Sequence, residues 1–216
     1  MQYRHSFHAG NFADVHKHVT LLALLSALKR KVAGFLYLET HAGRGSYDLT
    51  RPSTEASRTT QSGLARLAAA APETAELRHY LAQLQLLRAH LRNAHAYPGS
   101  PLLAAAQLRP QDRAALFEIV PSEARALLRE LRGYARMHVE EANGFDRLRA
   151  YLPPKERRSL IFIDPPYEER EDFEHVAASC KEALRRLRSA IIAAWYPIKD
   201  ARTSTAWLAR LAGVID

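Results

Sequence analysis

Val15, Val19, Leu22, Leu25 and Leu28 recur at spacings of three and four near the start of the chain. That period puts them on one face of an amphipathic helix. It ends at Lys29-Arg30-Lys31, where cations complement the negative end of the helix dipole. Phe35-Leu36-Tyr37-Leu38-Glu39 is short, apolar and bounded by turn residues, and it predicts a buried strand. The stretch from Thr40 to Tyr47 reads as a turn, and residues 50–63, rich in Ser, Thr and Arg, read as a surface loop. Leu77, Tyr80, Leu81, Leu84, Leu87 and Leu91 share one face of a long helix, which Pro72 separates from an alanine-rich segment. Ala96-Tyr97-Pro98-Gly99-Ser100-Pro101 is then a turn into another helix, with Ser100 as N-cap and Pro101 at the first helical position.

From there the pattern alternates. Apolar runs at 115–120, 136–140, 160–164 and 190–195 predict strands, and helices fit 122–132, 145–152, 171–188 and 203–211. With the strand at 35–39 this makes five. Such alternation specifies a parallel sheet covered on both faces through right-handed crossovers. The helical insertion after the first strand, roughly 60 residues, is far longer than an ordinary connection.

The 216 residues, 47% hydrophobic and 25% charged, fit one soluble globular domain and exclude a disordered chain or a disulfide scaffold. No stretch approaches the roughly 18–20 apolar residues of a membrane span. The first residues carry no apolar leader core, so a cytoplasmic protein is expected, with no membrane partner. Cys180 is the single cysteine, which argues against a Cys-based metal site. His16 and His18, two apart on a helix, point away from each other, and no metal is expected. The net charge of +8 changes the picture more, because such a field attracts polyanions. Arginine supplies 25 of the 31 cations, a ratio that a GC-rich genome explains, but the net charge still calls for a partner, and nucleic acid leads.

In an open parallel sheet, ligands bind at the carboxyl ends of the strands, so each strand end is a candidate. The first ends in Glu39 and then Gly43-Arg44-Gly45, where two glycines serve either close backbone approach to a ligand or simply a tight turn. No Gly-Lys-Ser/Thr follows, which excludes a P-loop, and the third glycine of a dinucleotide fingerprint is missing. The second strand ends at Glu118, placed to accept hydrogen bonds from ribose hydroxyls or simply solvated. The third ends at Asn143-Gly144, a turn signal whose amide also suits the edge of an adenine ring.

The fourth strand runs into Asp164-Pro165-Pro166-Tyr167, the most specific string in the chain. An exocyclic amine on a base is a poor nucleophile because its lone pair is delocalised into the ring. Asp164 and the carbonyl of Pro165 are suited to hold its two hydrogens and turn that lone pair toward an electrophile. The prolines at 165 and 166 keep the carbonyl aimed. Tyr167 offers a face on which an extruded base stacks, or else belongs to the core beneath a rigid turn.

These residues match the [Asp/Asn/Ser]-Pro-Pro-[Tyr/Phe/Trp] signature of S-adenosylmethionine-dependent amino-methyltransferases. Tyr3-Arg4-His5-Ser6-Phe7-His8-Ala9-Gly10-Asn11, Ala13-Asp14-Val15-His16-Lys17-His18, Leu38-Glu39-Thr40-His41-Ala42-Gly43 and Tyr97-Pro98-Gly99-Ser100-Pro101 narrow the match. Together they resemble the RlmJ family, and the resemblance runs from residue 3 to the last residue. It implies a Rossmann-like class I methyltransferase sheet within a single domain, 1–216, with an N-terminal arm and helix at 1–32 and a helical insertion subdomain at 50–110. It also implies N6-methylation of one adenosine, position 2030 in the standard numbering, in 23S rRNA that is protein-free or in an early assembly intermediate, by a monomer. Lys17, His18, His41, Ser100, Glu118, Asn143, Gly144 and Asp164 would lie at S-adenosylmethionine. Asp164, Pro165 and Tyr167 would be catalytic, and Tyr3 would touch RNA. Family members usually carry Asp where this chain has Asn143. They also continue for several tens of residues past Ile215-Asp216, supplying the last two strands of a seven-stranded sheet. With those C-terminal strands missing, the strand at 190–195 is expected to be left as an exposed apolar edge.

Two other readings stand beside this one: a truncated, catalytically silent RNA-binding module, and a DNA adenine-N6 methyltransferase. A nicotinamide oxidoreductase leaves Asp164-Pro165-Pro166-Tyr167 unexplained. Arg147, Arg149, Lys155, Arg157 and Arg158 either help to seat RNA or form a solvated charged face.

Overall fold

The computed structural model describes residues 9–50, 63–70, 72–169, 171–198 and 200–215. Tyr3, with its expected RNA contact, and the stretch 51–62 lie outside the described residues.

Helix α1, Phe12–Lys29, starts at Asn11, whose Oδ1 accepts the Asp14 N–H at 2.8 Å. Its stripe of Leu21, Leu22, Leu25 and Leu28 is buried. Strand β1, Leu36–Glu39, is buried along its whole length, as the central strand of a parallel sheet must be. The excursion that follows holds β2 (Ser46–Asp48), α2 (Leu64–Ala69), α3 (Ala75–His90), β3 (Ala96–Pro98) and α4 (Ser100–Ala105). The chain returns as β4 (Arg113–Glu118), α5 (Pro121–Glu130), β5 (Met137–Glu141), α6 (Gly144–Arg147) and a 3₁₀ turn, Leu148–Tyr151. It closes with β6 (Ser159–Ile163), α7 (Glu171–Arg186), β7 (Ile191–Ala194) and α8 (Ala201–Ile215).

Five strands form one parallel sheet in the order β5-β4-β1-β6-β7, the architecture that the alternation and the resemblance lead one to expect. Side chains alternate between its faces. Tyr37, Ala114, Leu116, Leu160 and Phe162 pack with α1, α3, α4 and α5 on one side. Leu36, Leu38, Ala115, Phe117, Ile161 and Ile163 pack with the 3₁₀ turn, α7 and α8 on the other. Buried Asp112 ties the starts of β1 and β4 together, its carboxylate accepting the Phe35 and Arg109 backbone N–H groups and the Arg109 guanidinium.

Several boundaries differ from expectation. β4 stops at Glu118 instead of 120, because Val120 becomes the N-cap of a helix opening with Pro121. The helix expected at 145–152 is one α turn followed by a 3₁₀ turn. Residues 46–48 and 96–98, both read as turns, pair as a small antiparallel sheet, Tyr47 opposite Tyr97. Three-residue strands brought together by an intervening helical excursion leave no periodicity to read. Ser100 is not the N-cap of α4. Gly99 takes that position, which frees the Ser100 hydroxyl for another partner.

At the other end of the sheet, β7 pairs with β6 and, among the described residues, has no partner on its second edge. Ile191 there is 37% exposed, as an apolar edge predicts. α8 covers a face of the sheet, not that edge, through Trp207 against Phe173 and Tyr196.

Candidate functional site

Because the five strands are parallel, the residues following Glu39, Glu118, Glu141, Ile163 and Ala194 line up along one rim of the sheet. Glu118 is buried there, one carboxylate oxygen accepting the Gly43 N–H and the other the Val120 N–H, each at 2.8 Å. It clamps the glycine turn to the exit of β4, and the Ala42 N–H to Phe117 carbonyl bond adds a second tie. Burial raises its pKa, and the two backbone donors oppose that rise. Each oxygen keeps a lone pair for a further donor. Gly43 and Gly45 adopt φ of 65° and 93°, so the turn itself requires glycine.

At the exit of β5, Asn143 is exposed and caps α6, its Oδ1 accepting the Phe145 N–H at 3.0 Å. The amide is therefore first a helix cap. Gly144 is buried, and a Cβ there would meet the Thr40 carbonyl oxygen at 2.2 Å, so glycine is what lets β5 leave beside β1.

Asp164 follows β6, and Lys17 of α1 reaches it from 147 residues away. The Lys17 Nζ lies 2.6 Å from Asp164 Oδ2 and 2.7 Å from Asp14 Oδ1. All three side chains are 12–15% exposed, so this is one cation held between two carboxylates out of bulk water. Burial alone would lower the Lys17 pKa, but Asp164 and Asp14 outweigh it and hold it well above the ordinary lysine value. Burial likewise pushes Asp14 up, and Lys17 and His18 together bring it below the usual carboxylate range.

Lys17, His18, His41, Ser100 and Asp164 meet around one small cavity of about 30 Å³. The His18 ring stacks on Tyr97 at 5.6 Å, with Nδ1 3.0 Å from the phenol oxygen. Burial pushes its pKa down to about 4, so it is a neutral imidazole near pH 7. His41 Nδ1 is 2.8 Å from the Thr40 hydroxyl, and its ring stands edge-on to Phe145. Glu118, Asn143 and Gly144 sit on the same rim but do not line this cavity.

Of the two readings open for Tyr167, the structure places it in the core. A φ of 52°, left-handed for a residue with a Cβ, turns the ring inward. It is 9% exposed, packs on Phe173 with ring centroids 4.6 Å apart, and donates its hydroxyl to the Trp195 carbonyl. In this arrangement it presents no face for a base. Pro165 is buried and Pro166 half-buried, as a rigid strand exit requires. Cys180 is buried too, its thiol pushed up to about 11 by burial.

Two carboxylates were given no role by the sequence reading: Asp14 lines the cavity, and Glu39 lies behind it on Ser100. Glu39 is fully buried and accepts hydrogen bonds from the Tyr37 hydroxyl at 2.9 Å and from the Ser100 hydroxyl. Its signal was its place at the end of a buried strand. Asp14 was marked by its position three residues before Lys17 on an apolar helix. Burial raises the Glu39 pKa from 4.5 to about 8, with Asp164 adding to the rise and Ser100, Tyr37 and Lys17 opposing it. The native state therefore keeps a proton that the unfolded chain has released above pH 4.5. This contribution to stability is complete below pH 4.5 and is lost as pH rises through about 8. Glu39→Gln, which carries the hydrogen-bonding capacity of the protonated acid, is expected to remove that dependence. The difference in unfolding free energy between wild type and variant should then change by up to about 1.4 kcal/mol per pH unit. Urea unfolding of both proteins at pH 5, 7 and 9 measures it, and parallel pH profiles would refute a raised Glu39 pKa.

Residues 32–215 match the family model described as ribosomal RNA large subunit methyltransferase D, RlmJ. The ribosomal RNA large subunit methyltransferase J of Escherichia coli is 42% identical over 200 residues, covering 92% of this chain and 70% of that protein. The protein of the same name from Haemophilus influenzae is 40% identical over 198 residues, with the same two coverages. A crystal structure of a protein from Legionella pneumophila superposes with a TM-score of 0.82 at 35% identity, covering 96% of this chain and 75% of that one.

Proposed function

The chain belongs to the RlmJ family of ribosomal RNA large subunit methyltransferases, and from that premise we propose that it methylates N6 of one adenosine, position 2030, in 23S rRNA. The observation that carries this reading is Asp164 at the exit of β6, leading into Pro165-Pro166 and sharing its cavity with Lys17, His18, His41 and Ser100. The methyl donor is S-adenosylmethionine, which when bound supplies an electrophilic methyl group on its sulfonium.

The residues present suit that cofactor. Glu118 holds two acceptor lone pairs at a buried strand end, the chemistry that ribose hydroxyls need. The Ser100 hydroxyl spends its hydrogen on Glu39 and so turns acceptor lone pairs to the cavity, as an amino acid's ammonium requires. His18, His41, Asn143 and Gly144 complete the set of residues we assign to the cofactor, with Lys17 beside it. Asp164 accepts an N–H of the adenine amine and takes up the proton that the nitrogen releases. The Pro165 carbonyl accepts the other N–H, and its ring fixes the direction of that carbonyl. The Lys17 ammonium occupies one Asp164 oxygen, so the amine meets the carboxylate at the other oxygen or as the ion pair opens. Tyr3 is assigned to the RNA. Residues 1–216 act as one catalytic domain of a cytoplasmic monomer, with 50–110 inserted, on rRNA that is protein-free or early in assembly.

Transfer of a labelled methyl group to protein-free 23S rRNA lacking the modification tests this, with duplex DNA as control. Label recovered as N6-methyladenosine in the rRNA alone is the expected result. Label in DNA, or none from folded protein that binds S-adenosylhomocysteine, would sink the reading.

A further inference from the structure

The loops that enter the five parallel strands share one rim of the sheet, opposite the rim that carries Asp164. Counted from the end of the preceding helical turn to the first strand residue, these loops hold ten lysines and arginines against two acids. That excess equals the net charge of the whole chain, +8. The loops leaving the same strands, with the last strand residues, hold three cations against seven acids. The charge that attracts polyanions is thus concentrated at the end of the sheet away from the chemistry.

Both acids of this rim are engaged inside it. Asp112 is fully buried on Arg109, and the Glu156 side chain, 6% exposed, holds Arg113 at 2.8 Å. Arg109 also donates to the Lys29, Lys31 and Ala33 carbonyls, and Arg158 to the Leu28 and Ala33 carbonyls, which fixes the turn between α1 and β1. Arg30 and Lys31 in that turn, Lys155 and Arg157 ahead of β6, and Arg132 and Arg136 ahead of β5 are exposed. Among the described residues no carboxylate pairs with any of these six. Arg136 and Arg157 sit at φ of 63° and 53°, so each keeps a cation where the left-handed backbone favours glycine. Neighbouring strands lie about 4.8 Å apart, so the row from β5 to β6 spans about 14 Å, enough for several phosphates.

We propose that this rim is a second contact surface for the phosphate backbone of the RNA substrate, seating a part of the RNA remote from the adenosine at Asp164. This rests on the rRNA methyltransferase reading. Phosphates satisfy a row of exposed, unpaired cations on fixed loops, and the planar fork of arginine suits them. A lipid surface calls for an apolar face beside the cations, and the large hydrophobics exposed on this rim are Val32 and Ile191 alone. Of the cations that the sequence left between RNA and solvent, Lys155 and Arg157 belong to the surface, Arg158 braces it, and Arg147 pairs with Glu140 elsewhere.

Arg136→Gly and Arg157→Gly each remove one cation and relax the backbone, so their urea midpoints should equal or exceed that of the wild type. Lys181→Gln, which removes an exposed cation on α7, is the control for net charge. Binding of protein-free 23S rRNA is followed by filter retention across a series of KCl concentrations. Each rim variant should reduce the slope of log affinity against log salt by about 0.7–0.9. The double variant should raise KM for rRNA roughly tenfold, with kcat and S-adenosylhomocysteine affinity unchanged. Lys181→Gln should change neither slope nor KM. A wild-type slope and KM in the double variant, or an equal loss in Lys181→Gln, would overturn the surface. So would weakened binding to phosphatidylglycerol vesicles in the double variant with rRNA affinity intact, which would assign the rim to a membrane. Reduced slopes in the rim variants, with no methyl transfer by the wild type, would support the surface while refuting the proposed reaction, so the two fail separately.

Discussion

Asp164→Ala is expected to lower kcat for methyl transfer by about 10³-fold, while S-adenosylhomocysteine still binds within about tenfold of wild type. The exocyclic amine is unreactive until its hydrogens are held and its lone pair is redirected, and Asp164 is the carboxylate at that strand exit. Alanine removes both the acceptor and the receiver of the proton. The fold should survive, because the Lys17 ammonium keeps Asp14 at 2.7 Å and is not left as an unpaired buried charge. Calorimetry with S-adenosylhomocysteine and single-turnover methyl transfer separate binding from chemistry. A variant that binds and turns over like wild type would move the acceptor role to another residue. The choice of alanine matters, since Asn also occurs in the Asp-Pro-Pro-type signature and its amide oxygen still accepts.

Much of this site was legible because it obeys local rules. Strand ends in a parallel sheet lie on one rim, so Glu118, Asn143 and Asp164 could be placed from alternation alone, within the one or two residues by which the strand boundaries were off. What escaped depends on long-range packing. That Lys17 grips Asp164 follows from how α1 lies across β6, which no periodicity encodes. For Tyr167, residue type and position left a stacking face and a core residue both open. A single left-handed φ reverses the direction of its ring, and sequence carries no signal for that in a residue other than glycine. Ser100 was read as a cap from its place before Pro101. The cap is Gly99, and the serine faces Glu39, whose burial made it unavailable to any argument from exposed charge.

Lys17→Met should couple stability and activity to pH in opposite directions. In the wild type the raised Lys17 pKa gives a contribution complete below pH 10.5 and lost only above it. The lowered Asp14 pKa gives one complete above pH 3.8 and lost as pH falls through the still lower folded value. Between those limits Lys17 and Asp14 add little pH dependence to stability. Methionine fills the space of the lysine stem but leaves Asp14 and Asp164, which both touched one ammonium, without a cation. Left without their shared cation, the two carboxylates repel one another, so the pair binds a proton more readily than in the wild type. A carboxylate raised in the folded state stabilises below its unfolded value and loses that contribution as pH climbs. The variant should therefore be about 3 kcal/mol less stable than wild type at pH 8, recovering part of that at pH 5. Its methyl transfer should run the other way and increase with pH, because a carboxylate that already holds the shared proton cannot take up the one the amine releases. Urea unfolding and initial rates from pH 5 to 8.5 measure both trends on the same preparations. A stability difference between wild type and variant that is flat across that range would mean that Asp14 and Asp164 are neutralised by something other than Lys17.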